Sequence, residues 1–381
     1  MTKYKETRKE FWTSKQRQAS SIQEISYRAC FKPQLPRYFI ERFTVKGDTV
    51  YDPFGGRGTT AVEAALLQRN FIQNDINPLS KIFLLGRMQP PSIEEVGERL
   101  YGSIKSNTKL DSIDLSMFYE KETFQEINDL RNYFIQKKEK NLDHVDHWIR
   151  MVATNRLTGH SPGFFSVYTL PPNQATTAKR QIQINQKRNQ RPEYKDTKEI
   201  IIRKSKQLLR NLSEDQIKSL ITAKKSSLIL EEDAANTKQI SSNSVTLTVT
   251  SPPFLDIVNY LEDNWLRCWF NNIDLKKISG KITMSKTLDA WSLKMTGVFV
   301  ELNRISKSNG MVAFEVGEIR NGKINLEDHI IPIAEKTGFE CLEVMINEQN
   351  FTKTSNIWGV SNNKRGTNTN RIVVVKKKRN L

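Results

Sequence analysis

Thr49-Val-Tyr-Asp52-Pro-Phe-Gly-Gly-Arg-Gly58-Thr-Thr60 is the stretch that decides the fold. Its first four residues read as a short buried strand ending on a carboxylate. Phe54 to Gly58 form a loop, and Thr59 to Gln68 carry apolar residues at helical spacing. Glycines between a strand end and a helix start let the backbone come close to a ligand. No lysine follows them, which argues against a Walker-type phosphate loop. Asn70 to Asp75 read as the next strand, and Asn77-Pro78 opens the helix after it. Asp75 then sits at a strand end, where a carboxylate can accept both hydroxyls of a ribose.

Working outward, the α/β pattern covers about Phe31 to Met88 and returns at about Ser226. The later strands are expected over Ser227–Glu232, Val245–Thr250, Met311–Val316, Glu340–Ile346 and Arg371–Val375, with helices around Thr287–Ser306 and Leu326–Thr337. Strands alternating with helices predict a mostly parallel sheet covered on both faces. Only Asn347 to Asn370 separate the last two strands, without a helix, so these two should pair antiparallel. Between the α/β regions the pattern turns helical, with Met117–Lys138, His144–Asn155 and Lys198–Asn211 flanking an irregular stretch from Gly159 to Asn173. The chain is therefore read as α/β in three parts: residues 1–88, a helical basic insert at 89–225, and 226–381.

The second chemical constellation, Thr250-Ser-Pro-Pro-Phe254, directly follows the strand Val245–Thr250. Two consecutive prolines can neither extend a sheet ladder nor enter a helix interior, so the chain there is rigid and irregular. It offers the Ser251 hydroxyl, the Pro252 carbonyl and the flat face of Phe254. Open α/β sheets bind ligands at the carboxyl ends of their strands, where this loop lies.

The 381 residues carry 59 Lys and Arg against 42 Asp and Glu, a net charge of +17. An excess of that size suits a polyanionic partner, because each cation placed on a phosphate releases counterions. Between Lys179 and Lys225 there are 14 Lys and Arg against 5 Asp and Glu, about half of the whole excess. The bland alternative is a solvated helix face. Cys30, Cys268 and Cys341 are widely separated and fit a reducing compartment rather than a disulfide framework. No Cys or His pair has zinc-finger spacing with a second pair to complete it, so no metal is expected. The N-terminus lacks the apolar core of a secretory signal, and no stretch approaches a membrane span. A cytoplasmic protein, bacterial or nucleoid-associated, is expected, with no membrane partner.

Asp-Pro-Phe-x-Gly-x-Gly-Thr-Thr and Thr-Ser-Pro-Pro-Phe resemble motifs I and IV of the bacterial DNA amino-methyltransferases, the N4-cytosine and N6-adenine enzymes. Tyr27-Arg-Ala-Cys-Phe-Lys-Pro-Gln-Leu-Pro36 is similar to motif X, Asn74-Asp75-Ile-Asn-Pro78 to motif II, and Glu232-Asp233-Ala234 to motif III. Together these cover about 200 residues in two blocks. The resemblance implies a Rossmann-like methyltransferase sheet and S-adenosylmethionine as cofactor. Asp52, Pro53, Phe54, Gly55, Gly56, Gly58, Thr59 and Thr60 would hold its methionine part, Asp75 its ribose, and Asp233 with Ala234 its adenine. Ser251, Pro252, Pro253 and Phe254 would act on the target amine.

Motif I precedes motif IV, with about 150 residues between motifs II and III. That resembles the family's α arrangement, in which the intervening segment recognises the target sequence. Its candidate contacts to double-stranded DNA are Lys179, Arg180, Lys187, Arg188 and Arg191, with Tyr260 beside the catalytic loop. Ser251 stands where adenine-directed relatives more often carry Asp or Asn, which favours the N4 of cytosine. No cysteine follows a proline as C5-cytosine enzymes require. The remaining alternatives are N6-adenine methylation, an RNA guanine-N2 methyltransferase and a catalytically silent DNA-binding module. A restriction-modification system, with a cognate restriction endonuclease as partner, is the biological setting the resemblance suggests.

Overall fold

Val50 and Tyr51 are both fully buried but belong to different cores, as alternation along a strand requires when a sheet is covered on both sides. Ile372 and Val374 alternate with Val373 and Val375 in the same way. The computed structural model describes residues 4–9, 19–27, 30–170, 176–253, 260–279, 285, 287–319, 324–348 and 369–379.

Among these, eight strands make one sheet. In chain order they are β1 (Lys5–Lys9), β2 (Thr49–Asp52), β3 (Asn70–Asn74), β4 (Leu228–Leu230), β5 (Val245–Thr250) and β6 (Ser306–Val316). A small antiparallel ribbon follows, β7 (Glu318–Ile319) with β8 (Ile324–Asn325), and then β9 (Phe339–Glu348) and β10 (Thr369–Lys377). The spatial order is β1-β9-β10-β6-β5-β2-β3-β4. Every pairing in it is parallel except those of β10, which runs antiparallel to both β6 and β9. This is the expected Rossmann-like methyltransferase sheet, antiparallel at its last strand.

The chain order reverses between β2 and β5, since β3 and β4 lie to one side of β2 and the later strands to the other. The carboxyl ends of β2 and β5 therefore flank the switch point, where open α/β sheets leave a crevice. Both motif loops leave from there.

One face packs on helices Gln34–Phe43, Thr59–Leu66 and Leu79–Met88, and through them on the helices of 89–225. Gly86 sets that last contact: a Cβ there would sit 2.7 Å from Met151 Cβ and 2.8 Å from the His147 carbonyl. Only glycine lets helix Leu79–Met88 lie so close to helix His144–Arg156. Trp148, Ile149, Met151, Val152, Leu208 and Leu220 consequently join the same buried cluster as Val50, Val62 and Phe83. The other face is covered by helices Leu288–Ile305 and Glu327–Lys336, through Trp291, Phe299, Leu302 and Ile330.

Several elements differ from expectation. β4 shortens from six residues to Leu228–Leu230, because it is an edge strand pairing only with β3. The helix after the glycine loop stops at Leu66, and Gln68 turns the chain at positive φ. Helices Ile93–Gly102, Ala178–Arg188, Glu214–Lys225 and Tyr260–Phe270 and strand β1 were not expected at all. No described helix is long and apolar enough to cross a membrane.

Candidate active site

Gly58 and Gly56 sit at φ +81° and +50°, the left-handed region that side chains disfavour. The turn they make brings the Gly55 amide onto the Asn74 carbonyl at 2.9 Å, so the loop folds back over the end of β3. There is no room beneath it. A Cβ on Gly55 would stand 2.4 Å from Gln73 Cγ, and one on Gly58 would stand 2.8 Å from Gln73 Oε1. Motif I is thus glycine at 55 and 58 for space and at 56 and 58 for conformation.

Two carboxylates face this loop from β2 and β3. Asp52 accepts from the Phe54 amide at 3.1 Å and from the Thr250 hydroxyl at 2.6 Å. Asp75 accepts from the Gly56 amide at 2.8 Å and from the Asn77 amide at 2.9 Å. Burial pushes each up to about 6 despite these bonds, and for Asp52 the charge of Asp75 adds to the rise. A carboxylate accepts at up to four positions. Asp75 therefore keeps acceptor capacity for a polar ligand resting on the loop.

Below, the loop is held by polar groups, several of them outside the sequence motifs. Arg87 is fully buried and donates to the Phe83 carbonyl at 3.0 Å, to Gln23 Oε1 at 3.1 Å and to the Arg57 carbonyl. Gln23 Nε2 reaches the Thr59 carbonyl at 3.2 Å and Glu63 at 3.0 Å, and Arg37 pairs with Glu63 at 2.9 Å. The Arg57 side chain donates to the Ile25 carbonyl at 2.6 Å, drawing the segment around Ile25–Tyr27 against the loop. Asn74 spans three strand ends: it donates to the Pro53 carbonyl at 3.3 Å and the Glu232 carbonyl at 2.9 Å, and accepts from the Glu232 amide at 2.8 Å. A lone arginine in the apolar run Ile82-Phe-Leu-Leu-Gly-Arg-Met88 was the one sequence signal that could have found Arg87.

The Thr250–Asp52 bond is the hinge of the site, because it ties the end of β5 to the end of β2 beside it. Thr60 adds a second tie, its hydroxyl donating to the Val249 carbonyl at 3.2 Å. Ser251 follows Thr250 directly, half-buried and without a hydrogen bond to the described residues. Pro252 is buried, and the Pro253 carbonyl accepts from Trp291 Nε1 at 3.0 Å, which anchors the loop to helix Leu288–Ile305. Phe254 lies outside the described residues, as does the side chain of Tyr260.

The remaining candidates fall in different places. Pro53, Thr59 and Thr60 are buried beneath the loop, and Phe54 packs at the edge of the second core. Ala234 is buried, but Asp233 is exposed and paired with Lys294 at 2.5 Å. Next to it Glu232 keeps one buried carboxylate oxygen without a partner. Lys179, Arg180, Lys187, Arg188 and Arg191 are exposed on or just after helix Ala178–Arg188, with Arg188 stacked over Tyr168 at 3.8 Å. No group of three or more His, Cys, Asp or Glu that could hold a metal ion lies among the described residues, and none of the three cysteines is in a disulfide.

Sheet order and strand-end loops are those of a Rossmann-like α/β protein. Residues 1–81 match the DNA methylase family. The chain is 25% identical over 291 residues to the Type II methyltransferase M.BsoBI of Geobacillus stearothermophilus, covering 67% of this chain and 53% of that protein. It is 47% identical over 49 residues to the Type II methyltransferase M.MjaI of Methanocaldococcus jannaschii, covering 13% and 16% of the two. The chain thus matches about half the length of the first relative and much less of the second. Among solved structures, a TehB-like SAM-dependent methyltransferase from Corynebacterium glutamicum overlaps 90% of this chain and 87% of its own at 8% identity and TM-score 0.32. TrmN from Thermus thermophilus overlaps 91% and 49% at 10% identity and TM-score 0.33. The resemblance to the DNA amino-methyltransferases read from the motifs agrees with the family match and with both relatives.

Proposed function

We propose that this protein is a DNA methyltransferase that moves a methyl group from S-adenosylmethionine to an exocyclic base amine, the N4 of cytosine. The observation that carries the reading is the Asp52–Thr250 hydrogen bond, which sets a glycine cradle and a Ser-Pro-Pro loop side by side. The cradle fits the cofactor on its own geometry. It is a tight glycine turn packed directly on Gln73, flanked by Asp75 with acceptor capacity left and by the unpartnered Glu232 oxygen. When bound, S-adenosylmethionine supplies an electrophilic methyl group on a sulfonium.

The chain's part is to prepare the nucleophile. An aromatic amine gives its lone pair to the ring and attacks poorly. The Ser251 oxygen and the Pro252 carbonyl each accept one of its N–H bonds, which turns the nitrogen towards tetrahedral geometry and frees the lone pair. The double proline fixes that carbonyl, and Trp291 fixes the loop. Positioning of this kind can remove about 7–11 kcal/mol of barrier. The target base must leave the duplex at a cost of a few kcal/mol, offset by stacking on Phe254, the role the family resemblance gives it. The exposed cations of 179–191 contact phosphates of double-stranded DNA, and Tyr260 is a further candidate contact to it. A restriction-modification system with a cognate endonuclease is the setting, in keeping with the Type II methyltransferases among the relatives.

Ser251 favours cytosine, since a neutral hydroxyl and one carbonyl suffice beside a small pyrimidine. Treating DNA with the protein and cofactor, digesting it to nucleosides and weighing the products is the test. N4-methylcytosine is expected. N6-methyladenine alone would overturn the base assignment and keep the amine chemistry; methylated RNA with unmodified DNA would overturn both.

A further inference from the structure

Three buried cations lie on helices packed around the segment at Ser26, in a way the proposed chemistry does not use. Arg156 ends helix His144–Arg156, Lys204 lies on helix Thr197–Leu209, and Arg267 lies on helix Tyr260–Phe270 beyond the Ser-Pro-Pro loop. Their exposures are 8%, 8% and 7%, so each is more than nine-tenths buried. Arg156 uses two of its five N–H donors, both on Asn155, at 3.2 Å to its carbonyl and 2.7 Å to Oδ1, and lies over the Phe164 ring at 3.9 Å. Lys204 makes no hydrogen bond or ion pair with the described residues. Glu24, whose charge reaches Lys204, is held by a two-pronged pairing with Arg210. Arg267 donates to Asn264 Oδ1 at 3.0 Å and to the Ser26 carbonyl at 3.4 Å.

The place is built. Asn155 Nδ2 donates to the Ser26 carbonyl at 2.8 Å and its Oδ1 accepts from the Ser26 amide at 3.3 Å, locking the end of the arginine helix to the segment that holds the glycine loop. Trp148 Nε1 donates to Ser205 Oγ at 2.8 Å, locking the lysine's helix to the same one. Among the described residues no carboxylate hydrogen-bonds to Arg156 or Lys204; burying like charges so is costly, and an anion would complete the site. The strain is legible in the groups themselves. Burial, then the charge of Arg267, brings Arg156 down to about 9; burial, then the charge of Arg156, brings Lys204 down to about 8.

We propose that Arg156 and Lys204, with Arg267 beside them, form a phosphate-binding site that grips one backbone phosphodiester of the DNA near the flipped nucleotide. The inference rests on the DNA methyltransferase reading above. A guanidinium fork with an ammonium beside it matches a phosphodiester's non-bridging oxygens. Its position, where the insert helices, the segment under the glycine loop and the helix after the Ser-Pro-Pro loop converge, suits a strand whose base enters the site.

The test uses the full chain and the variants Arg156→Gln, Lys204→Met and the pair. Binding of a fluorescent duplex is measured by anisotropy across a salt series. The double variant should lower the log–log salt slope by about 0.9, the loss of one phosphate, and weaken binding by about tenfold near 0.1 M salt. Thermal unfolding in sodium phosphate against chloride at equal ionic strength gives an independent readout: phosphate should raise the wild-type Tm but not that of Lys204→Met. An unchanged duplex slope with the phosphate effect lost would mean the ligand is a free phosphate, and would overturn the DNA assignment. No change in either would make the cations structural and overturn the proposal outright. Wild-type protein that methylates DNA while the variants keep its slope sinks this inference alone. A lowered slope in a protein that modifies no DNA base sinks the methyltransferase reading alone.

Discussion

The glycine loop and the basic helix Ala178–Arg188 carry their polar groups in opposite ways. At the loop almost every group is committed: Asp52, Asp75, Arg57, Arg87, Gln23 and Asn74 bind backbone or one another over short distances. On the helix, Lys179, Arg180 and Lys187 face solvent, and the buried polar residue is Gln181. A prepaid, rigid cradle suits one small ligand in one pose, because nothing must reorganise on binding. An exposed row of cations suits a long polyanion, whose affinity is summed from many weak, salt-sensitive contacts. Substitution at the first should act steeply and locally; at the second it should act by increments.

The steepest response is expected between the two, at Ser251. Ser251→Ala removes one of two acceptors for the target amine and should lower methyl transfer by on the order of 10²-fold or more, as losing one preorganised hydrogen-bonding group does. Calorimetric cofactor affinity should hold, since Ser251 is not in the cradle. Equal loss of both would mean the loop serves the cofactor instead.

Gly58→Val comes next. It forces a β-branched residue to φ +81° with a Cβ 2.8 Å from Gln73 Oε1 and 3.1 Å from Leu84 Cδ1. Strain of about 1–3 kcal/mol should weaken cofactor binding by about tenfold or more while far-ultraviolet circular dichroism stays unchanged. Wild-type affinity in this variant would show that the loop is only a turn.

Asp75 sharpens the contrast through pH. Burial raises its folded value to about 6, so the free protein takes up protons as pH falls through 6, and that uptake favours the folded state. A ligand held by the ionised carboxylate has the opposite dependence: its binding is complete above pH 6 and weakens below. Cofactor affinity should therefore drop by about tenfold per unit below pH 6, and Asp75→Asn should be weaker and flat. A wild-type profile flat to pH 5 would detach Asp75 from the cofactor.

The smallest effects belong to the helix. Reversing Lys187 or Arg191 should each lower the salt slope of duplex binding by about 0.9. Arg188 should contribute less, because it is stacked on Tyr168 and bonded to Gln190 at 3.3 Å. Unaltered slopes would return these residues to a solvated face.

By itself the sequence determined the parts whose information is local. Glycines that need positive φ or a close approach, prolines that forbid a ladder, and the alternation of apolar strands with amphipathic helices lie within a few residues of one another, so β2, β3, β5 and the last antiparallel pair were all legible. Some local information went unused. Ser92 with Glu95 and Ser213 with Gln216 form capping boxes that announce helices Ile93–Gly102 and Glu214–Lys225. Tertiary structure alone decided the rest, because those contacts join residues with no common spacing. Thr250 meets Asp52 across 198 residues. Gln23 meets Arg87, and Arg156 comes to lie beside Arg267, only once the sheet order and the close approach at Gly86 have been set. A buried polar group finds its partner wherever packing delivers one, and a linear pattern holds no record of that distance.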